Sequence, residues 1–484
     1  MKATPLFNAS EVRHLEALAE TEYQLNPYTL MQRAAAAALT VCRRHYPRAR
    51  HLHVVCGPGN NGGDGVELAR QAADVGLTAD VISAADLSAS GGAAANAWQA
   101  FSGAGGAISR QELGNVQRHD VIIDGLFGTG LSRAPRGAAA LLIEAINAAP
   151  APCLALDIPS GVHADTGACM TAAVRAHHTV SFIAPKAGLV IGDGPLHAGR
   201  VHVATLDVPA ALLARATPSL HQLGQPQWPL RNRRAHKGDH GRVVIIGGAQ
   251  GMEGAATLAG KAALSSGAGL VRVARPASAA RALRSASPEL MDAQFASASE
   301  LSVHLASAAA VVIGPGLGVS ALARSAFDSV CQTDRPMIVD ADALRLLAEA
   351  PRAMTGHVLT PHPGEAAALL GVSVADIESN RPEALAELVS RYRATVVLKG
   401  FRTLLGSPGA VPRCVPFGNP GLATGGSGDV LAGLVAAMRV AHDPFAAASC
   451  GALLHAVAAD RAAKGGERGL SPSDVIETLR QCVN

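Results

Sequence analysis

One feature constrains this chain more than any other: short apolar runs, each closed by a Gly- or Pro-rich turn, alternate with longer stretches of helical period. Residues 52–56, 81–83, 121–123, 153–156 and 180–183 are such runs. Each is too brief for a typical helix and mostly apolar, as a strand covered on both faces tends to be. Strands of this kind, spaced by helices, predict a parallel sheet sandwiched between helical layers. The rhythm breaks between residues 209 and 237, where Pro218, Pro226 and Pro229 stand among polar residues without a sustained period. It then restarts with runs at 242–246, 269–274, 310–313, 337–339 and 395–398, followed by a long helix from Gly428. A leading segment, 10–45, reads as helix closed by Pro47. The expectation is an α/β protein of two domains, 1–215 and 236–484, joined by a linker over 216–235. The 484-residue length accords with that number. The N-terminal domain is expected to be Rossmann-like with three layers.

Composition narrows the classes of partner. The net charge is only +3 and is spread along the chain, so no basic footprint for nucleic acid or a membrane surface is present. The one local cluster, Arg231, Arg233, Arg234, His236 and Lys237, falls in the linker. It reads as a solvated connection, with a phosphate-facing role as the alternative. The eight cysteines include no Cys-x-x-Cys pair, which argues for buried free thiols over a zinc or disulfide framework. No apolar stretch reaches the roughly 20 residues that span a bilayer, and residues 1–10 lack a secretory pattern. A soluble protein of a reducing compartment, the cytoplasm, is expected.

Candidate chemistry in the first half sits at strand ends. After the first run comes Gly57-Pro58-Gly59-Asn60-Asn61-Gly62-Gly63-Asp64-Gly65, then a helix expected over 66–75. Its opening satisfies G-x-G-x-x-G, where side-chain-free positions let phosphate oxygens reach amides at a helix N-terminus. Alone, that pattern also describes a plain turn. Asp124 and Asp157 each end a strand and precede Gly-rich turns, at the sheet edge where open α/β sheets bind ligands. Either acid taken singly could be a helix cap. Both together with the Gly-Asn-Asn loop make a site.

GPGNNGGDG, DGLFGTGL, LDIPSG and APKAG, in this order, resemble the NAD(P)H-hydrate epimerase family. The resemblance implies a bound potassium ion with Asn61, Asp124 and Ser160 as ligands. It also implies that the hydrated cofactor is held by Asn60, Asn61, Gly62, Gly63 and Asp64, by Gly128, Thr129, Gly130, Leu131, Ser132, Arg133 and Ala134, and by Asp157. Asp157 is the candidate acid–base residue for inversion at the hydrated ring carbon. Ala35-Ala36 departs from the Ala-Gly expected in the leading helix but touches no proposed ligand.

The sharpest signal in the second half is Asn419-Pro420-Gly421-Leu422-Ala423-Thr424-Gly425-Gly426-Ser427-Gly428-Asp429 ahead of a helical run over 430–440. Gly425, Gly426 and Gly428 allow successive amides to face one anion, reinforced by the helix dipole. An acid beside an anion hole suits a group that takes a proton while phosphorus is attacked. The plain alternative is an acid favoured by the dipole. No Walker loop exists, so phosphate handling must fall to other loops: Gly314–Gly318, Thr360–Glu365, Lys399–Thr403 and His236–Gly241. HKGDHGRVVIIGG, IGPGLG, VDADAL, LTPHPGEAAALLG, LKGFRT and GNPGLATGGSGDVLAG are similar to the ADP/ATP-dependent NAD(P)H-hydrate dehydratase family, whose fold is ribokinase-like. With both halves matched, the chain resembles the fused bacterial repair enzymes. That resemblance implies hydrate contacts at Ala255, Gly316, His362 and Asp429. It implies nucleotide contacts at Lys399, Gly400, Phe401, Arg402, Thr403 and Gly428. Asp429 is the expected catalytic base, ADP the co-substrate and magnesium the bridging ion. Hydrated NADH and NADPH are the expected substrates, and a homo-oligomer the expected assembly. Two rivals remain open: a small-alcohol kinase on the same fold, and a non-catalytic dinucleotide-binding first half.

Overall fold

The computed structural model describes residues 3–83, 85–110, 112–226, 228, 231–279 and 287–483; Pro229 of the expected linker lies outside them. The chain divides into two compact units, Pro5–Leu220 and Met1–Thr4 with His221–Asn484.

The sheet of the first unit has strands β1 (His51–Cys56), β2 (Thr78–Ile82), β3 (Ile108–Arg110), β4 (Val121–Gly125), β5 (Cys153–Leu156), β6 (His178–Phe182) and β7 (Arg200–Ala204). Their order is β3-β2-β1-β4-β5-β6-β7, and every neighbouring pair is parallel. The order reverses between β1 and β4, which opens a crevice at their carboxyl ends as in Rossmann-like folds. The largely apolar central runs were readable because helices cover both of their faces; β4 is buried at all five positions. Strands β3 and β7 lie at the edges, and β7 reads Arg-Val-His-Val-Ala, with no apolar run to announce it.

The leading segment is two helices, Ala9–Tyr23 and Pro27–His45, rather than one. Gln24 turns left-handed (φ 55°), and Asn26 caps the second helix by accepting from the Tyr28 amide, with Pro27 in the first turn. Proline is favoured at that first position and disfavours helix in the residue before it. The helix after β1 begins at Asn60 instead of residue 66, so Asn60 through Asp64 form its first turns. Glycine is required here: a Cβ on Gly62 would lie 1.8 Å from the Gly57 carbonyl oxygen, and one on Gly57 1.9 Å from that of Leu126. The loops after β1 and β4 therefore touch backbone to backbone.

The second unit contains β8 (Arg242–Ile246), β9 (Leu270–Pro276), β10 (Met291–Phe295), β11 (Ala310–Ile313), β12 (Met337–Val339), β13 (Val358–Leu359), β14 (Thr395–Leu398), β15 (Leu404–Gly406) and β16 (Arg413–Cys414). They run in the order β16-β15-β14-β13-β12-β11-β8-β9-β10. The pairs β14/β15 and β15/β16 are antiparallel and the others parallel. Inside the segment read as linker, Leu220–Leu223 is a strand whose His221 and Gln222 pair with Arg413 and Cys414. Helices Glu253–Ser265, Ser427–Arg439 and Pro444–Ala462 are built mainly of Ala, Gly and Leu. Small residues let them approach closely: a Cβ on Gly433 would sit 2.1 Å from the Ala259 carbonyl oxygen.

Candidate active sites

At the switch point of the first unit lies a cavity of about 1000 Å³. Asn60, Asn61, Asp64, the stretch from Gly128 to Ala134, and Asp157 all line it. Gly62 and Gly63 stand behind this wall as packing residues, against Gly57 and against Met31 and Ala94. No side chain caps the helix that starts at Asn60, and Gly59 is its N-cap, so its first turn faces the cavity without a competing cap.

Asp124 is fully buried and holds Ser160 closely: its carboxylate accepts from the Ser160 hydroxyl (2.6 Å), the Ser160 amide (2.8 Å) and the Leu126 amide (3.2 Å). Burial pushes its carboxyl up to about 6, against the pull of those hydrogen bonds. Beside it, Asn61 is buried with neither side-chain polar atom partnered. An unpaired amide oxygen near a buried carboxylate and a serine hydroxyl is a hard-oxygen donor set.

Asp157 ends β5 in the left-handed region (φ 64°), a conformation a non-glycine residue rarely takes. The turn is held by Lys186, whose ammonium contacts the Asp157 carboxylate and donates to the Phe182 carbonyl at 2.7 Å. The Phe182 amide donates to the same carboxylate at 3.2 Å. Lys186 is 1% exposed, and sequence reasoning passed over it although it sits in the APKAG motif. Glu16 and Arg13, on the first helix, also line the cavity and were missed. Burial and then Asp157 raise the Glu16 carboxyl, and the same two causes raise that of Asp64 well above its usual range.

In the second unit, Gly426 (φ 94°) is the N-cap of helix Ser427–Arg439, which no side chain caps. Ser427 is fixed from behind by His455, whose Nε2 lies 3.3 Å from its hydroxyl. Lys399, at the end of β14, extends toward this helix start: its Nζ would lie 3.2 Å from a Cβ on Gly428. The same ammonium lies 2.9 Å from Asp340 and 3.6 Å from Glu365. Burial lowers its affinity for a proton, but Asp340 and Glu365 outweigh this and hold the lysine above its usual value. Asp429, in the first helical turn, is pushed up to about 7 by burial and then by Asp340, with Lys399 opposing. Asp340, Asp342 and Glu365 were not singled out from the sequence, although each stands inside a quoted motif.

Other expected residues fall into two groups. Ala255 and Gly316 meet: a Cβ on Gly316 would be 3.3 Å from that of Ala255, and the Ala249 amide donates to the Gly316 carbonyl at 2.7 Å. His362 caps helix Pro363–Leu370, accepting from the Gly364 and Glu365 amides, and its side chain is 55% exposed. Gly400 (φ 138°) is packed against Arg381, Arg402 lies over the exposed Phe401 ring, and Thr403 donates to the Gly400 carbonyl. These contacts hold the loop after Lys399 in one shape. His236 and Asp239 close a local turn, His236 accepting from the Gly238 amide and Asp239 from the His236 amide.

Two family profiles match the chain: one described as NAD(P)H-hydrate dehydratase over residues 243–481, the other as YjeF-related protein N-terminus over residues 27–188. The bifunctional NAD(P)H-hydrate repair enzyme Nnr of Escherichia coli K12 is 43% identical over 482 residues, covering 98% of this chain and 93% of its own. That of Coxiella burnetii is 42% identical over 487 residues, covering 99% and 100%. The chain belongs to the bifunctional NAD(P)H-hydrate repair enzyme family. Among solved structures, a ribokinase-like superfamily protein from Enterococcus faecalis V583 superposes with a TM-score of 0.50 at 27% identity, covering 55% of this chain and 95% of its own. The repair enzyme thus pairs a Rossmann-like first unit with a ribokinase-like second unit, as the two sets of motifs implied. Among the described residues no helix is long and apolar enough to cross a membrane.

Proposed function

We propose that the first unit interconverts the R and S hydrates of NADH and NADPH, and that the second dehydrates the S form with ADP, releasing NAD(P)H, AMP and phosphate. In the hydrate, a hydroxylated ring carbon adjoins the ring nitrogen. Either the nitrogen lone pair expels that hydroxyl, or the hydroxyl loses its proton and its oxygen opens the ring by breaking the carbon–nitrogen bond to give a carbonyl; re-addition from the other face inverts the centre. Asp157, fixed by Lys186 and the Phe182 amide, is positioned in the cavity to move the hydroxyl proton. Asp64 and Glu16, both raised, are acids that can hold a proton beside it. The donors of Asn61, Asp124 and Ser160 fit a potassium ion, because the Asn61 amide oxygen is buried without a partner and Asp124 brings the one full negative charge. Bound there, the ion would supply fixed positive charge to an anionic part of the substrate.

Hydroxide is a poor leaving group, and phosphate a good one. In the second unit the ring hydroxyl attacks the terminal phosphorus of ADP; an O–P bond forms, the bond to AMP breaks, and Asp429 takes the hydroxyl proton. The ring nitrogen then expels phosphate while the adjacent carbon gives up a proton, restoring the dihydropyridine. The uncapped amides at the start of helix Ser427–Arg439 and the Lys399 ammonium face the charge that develops on the phosphoryl oxygens. Asp342 and Glu365 are hard-oxygen donors suited to magnesium, which would neutralise phosphate charge.

One observation carries this reading: the Asp429 carboxyl, which burial and then Asp340 push up to about 7, stands at an open helix N-terminus beside the partly buried Lys399. Hydrated NADH incubated with the protein and ADP should regain the NADH absorbance with equimolar AMP and phosphate. Accumulation of a stable phosphorylated hydrate would instead identify a kinase.

A further inference from the structure

The geometry points to a second, unassigned site: His45, His178 and His202 form a three-imidazole cradle for a divalent transition metal of the zinc type. The three rings come from separate elements. His178 opens β6, and its face of the strand is shared with Val180, which pairs with His202 of β7. The two histidines are therefore diagonal neighbours on one face, with His178 Nδ1 and His202 Nε2 2.9 Å apart. His45, the last residue of helix Pro27–His45, stacks on His178 at 4.2 Å between ring centres, with His202 at 5.1 Å. One ring nitrogen from each lies within 4.8 Å of the others.

A tetrahedral zinc with Zn–N bonds of about 2.0–2.1 Å needs nitrogens roughly 3.3 Å apart. Small side-chain rotations reach that spacing, and all three histidines are partly exposed. Burial, then the neighbouring His45 and His202, push His178 down to about 4, so its ring is neutral with a lone pair to give at neutral pH. His45 stands at a helix C-terminus, where the dipole favours a cation. Against this, Arg200 and Arg44 face His202 and add positive charge. Three neutral ligands leave a fourth position, and a bound hydroxide or other anion there would offset the arginines. His177, adjacent in sequence, accepts from the Cys153 amide and is not a ligand. The site is separate from the cavity: Phe182, which lines the cavity, is four residues along β6, about 13 Å away at a strand's rise per residue. A metal here would clamp the end of the helix to two strands.

The test uses full-length, chelator-stripped protein titrated with Zn2+ in excess Mg2+, and with Co2+ as a spectroscopic probe. The expected result is one Zn2+ per chain, a visible Co2+ band of tetrahedral type, and a higher melting temperature. His178→Gln and His202→Gln should each weaken Zn2+ by at least about 10–100-fold and abolish the band, with hydrate repair unchanged. Zinc binding equally tight in both variants would overturn the assignment. Should the variants not fold, anomalous diffraction from zinc-soaked wild-type crystals decides: density between the three rings supports the site, and density only elsewhere refutes it.

Discussion

Asp429→Asn keeps the side chain's size and removes its charge and its ability to take a proton. Burial, followed by Asp340, lifts this carboxyl from 3.8 to about 7. A shift of about three units, at roughly 1.4 kcal/mol each, bounds the cost of ionising it in the folded protein near 4 kcal/mol. The sign follows from proton counting. Between pH 3.8 and about 7 the folded state holds a proton that the unfolded state has lost, so this residue's contribution to stability is full below 3.8 and declines as pH rises through 7. Asparagine has no such penalty. At pH 8 the variant's second unit should resist urea better than wild type by about 1–4 kcal/mol, and at pH 4 the two should match. Activity should move the other way: kcat for NADH recovery falls about 10²–10⁴-fold, the range for a general base, while ADP binding survives. In wild type, kcat/KM should rise with pH up to about 7 and then level off as Asp429 ionises. A variant rate within about threefold of wild type, or a stability difference equal at pH 4 and pH 8, refutes the assignment.

Three further outcomes follow from the geometry. Lys399→Met removes a charge that lowers Asp429, so the kcat/KM–pH profile should shift to higher pH and the KM for ADP should rise. Lys186→Met should release the Asp157 turn and slow R/S interconversion by about 100-fold or more, while dehydration of pure S hydrate is unchanged; chromatography of the two epimers reads this directly. Gly62→Ala drives a Cβ to within 1.8 Å of the Gly57 carbonyl oxygen, and should destabilise the first unit by about 1–3 kcal/mol in denaturant with the second unit's activity retained.

The architecture was legible where both faces of a strand are covered. Residues 153–156, 242–246, 310–313 and 395–398 are apolar at every position or nearly so, and they begin and end as read. Strands with a solvated side, or of two residues such as Val358–Leu359, carry too little pattern to see. The glycine loops were legible because close backbone contact tolerates nothing larger. What stayed hidden depends on long-range packing. Glu16 and Arg13 reach the cavity only because their helix packs near a switch point formed by residues far along the chain. Lys186 lies 29 residues beyond its partner Asp157, and nothing in its local sequence announces an ion pair. Asp340 is 59 residues from Lys399, and only the pairing of successive strands brings them to 2.9 Å. His362 also has a local role that its sequence context could have shown: its ring caps the helix that begins with Pro363-Gly364-Glu365.

The most direct test follows an equal mixture of R and S hydrates with ADP, using wild type, Asp157→Asn and Asp429→Asn. Wild type should recover all of the NADH, and Asp157→Asn only the S half. Asp429→Asn should recover almost none yet still interconvert the two epimers. If Asp429→Asn restores NADH at the wild-type rate, or Asp157→Asn still consumes both epimers completely, two separate sites acting in sequence is the wrong description of this chain.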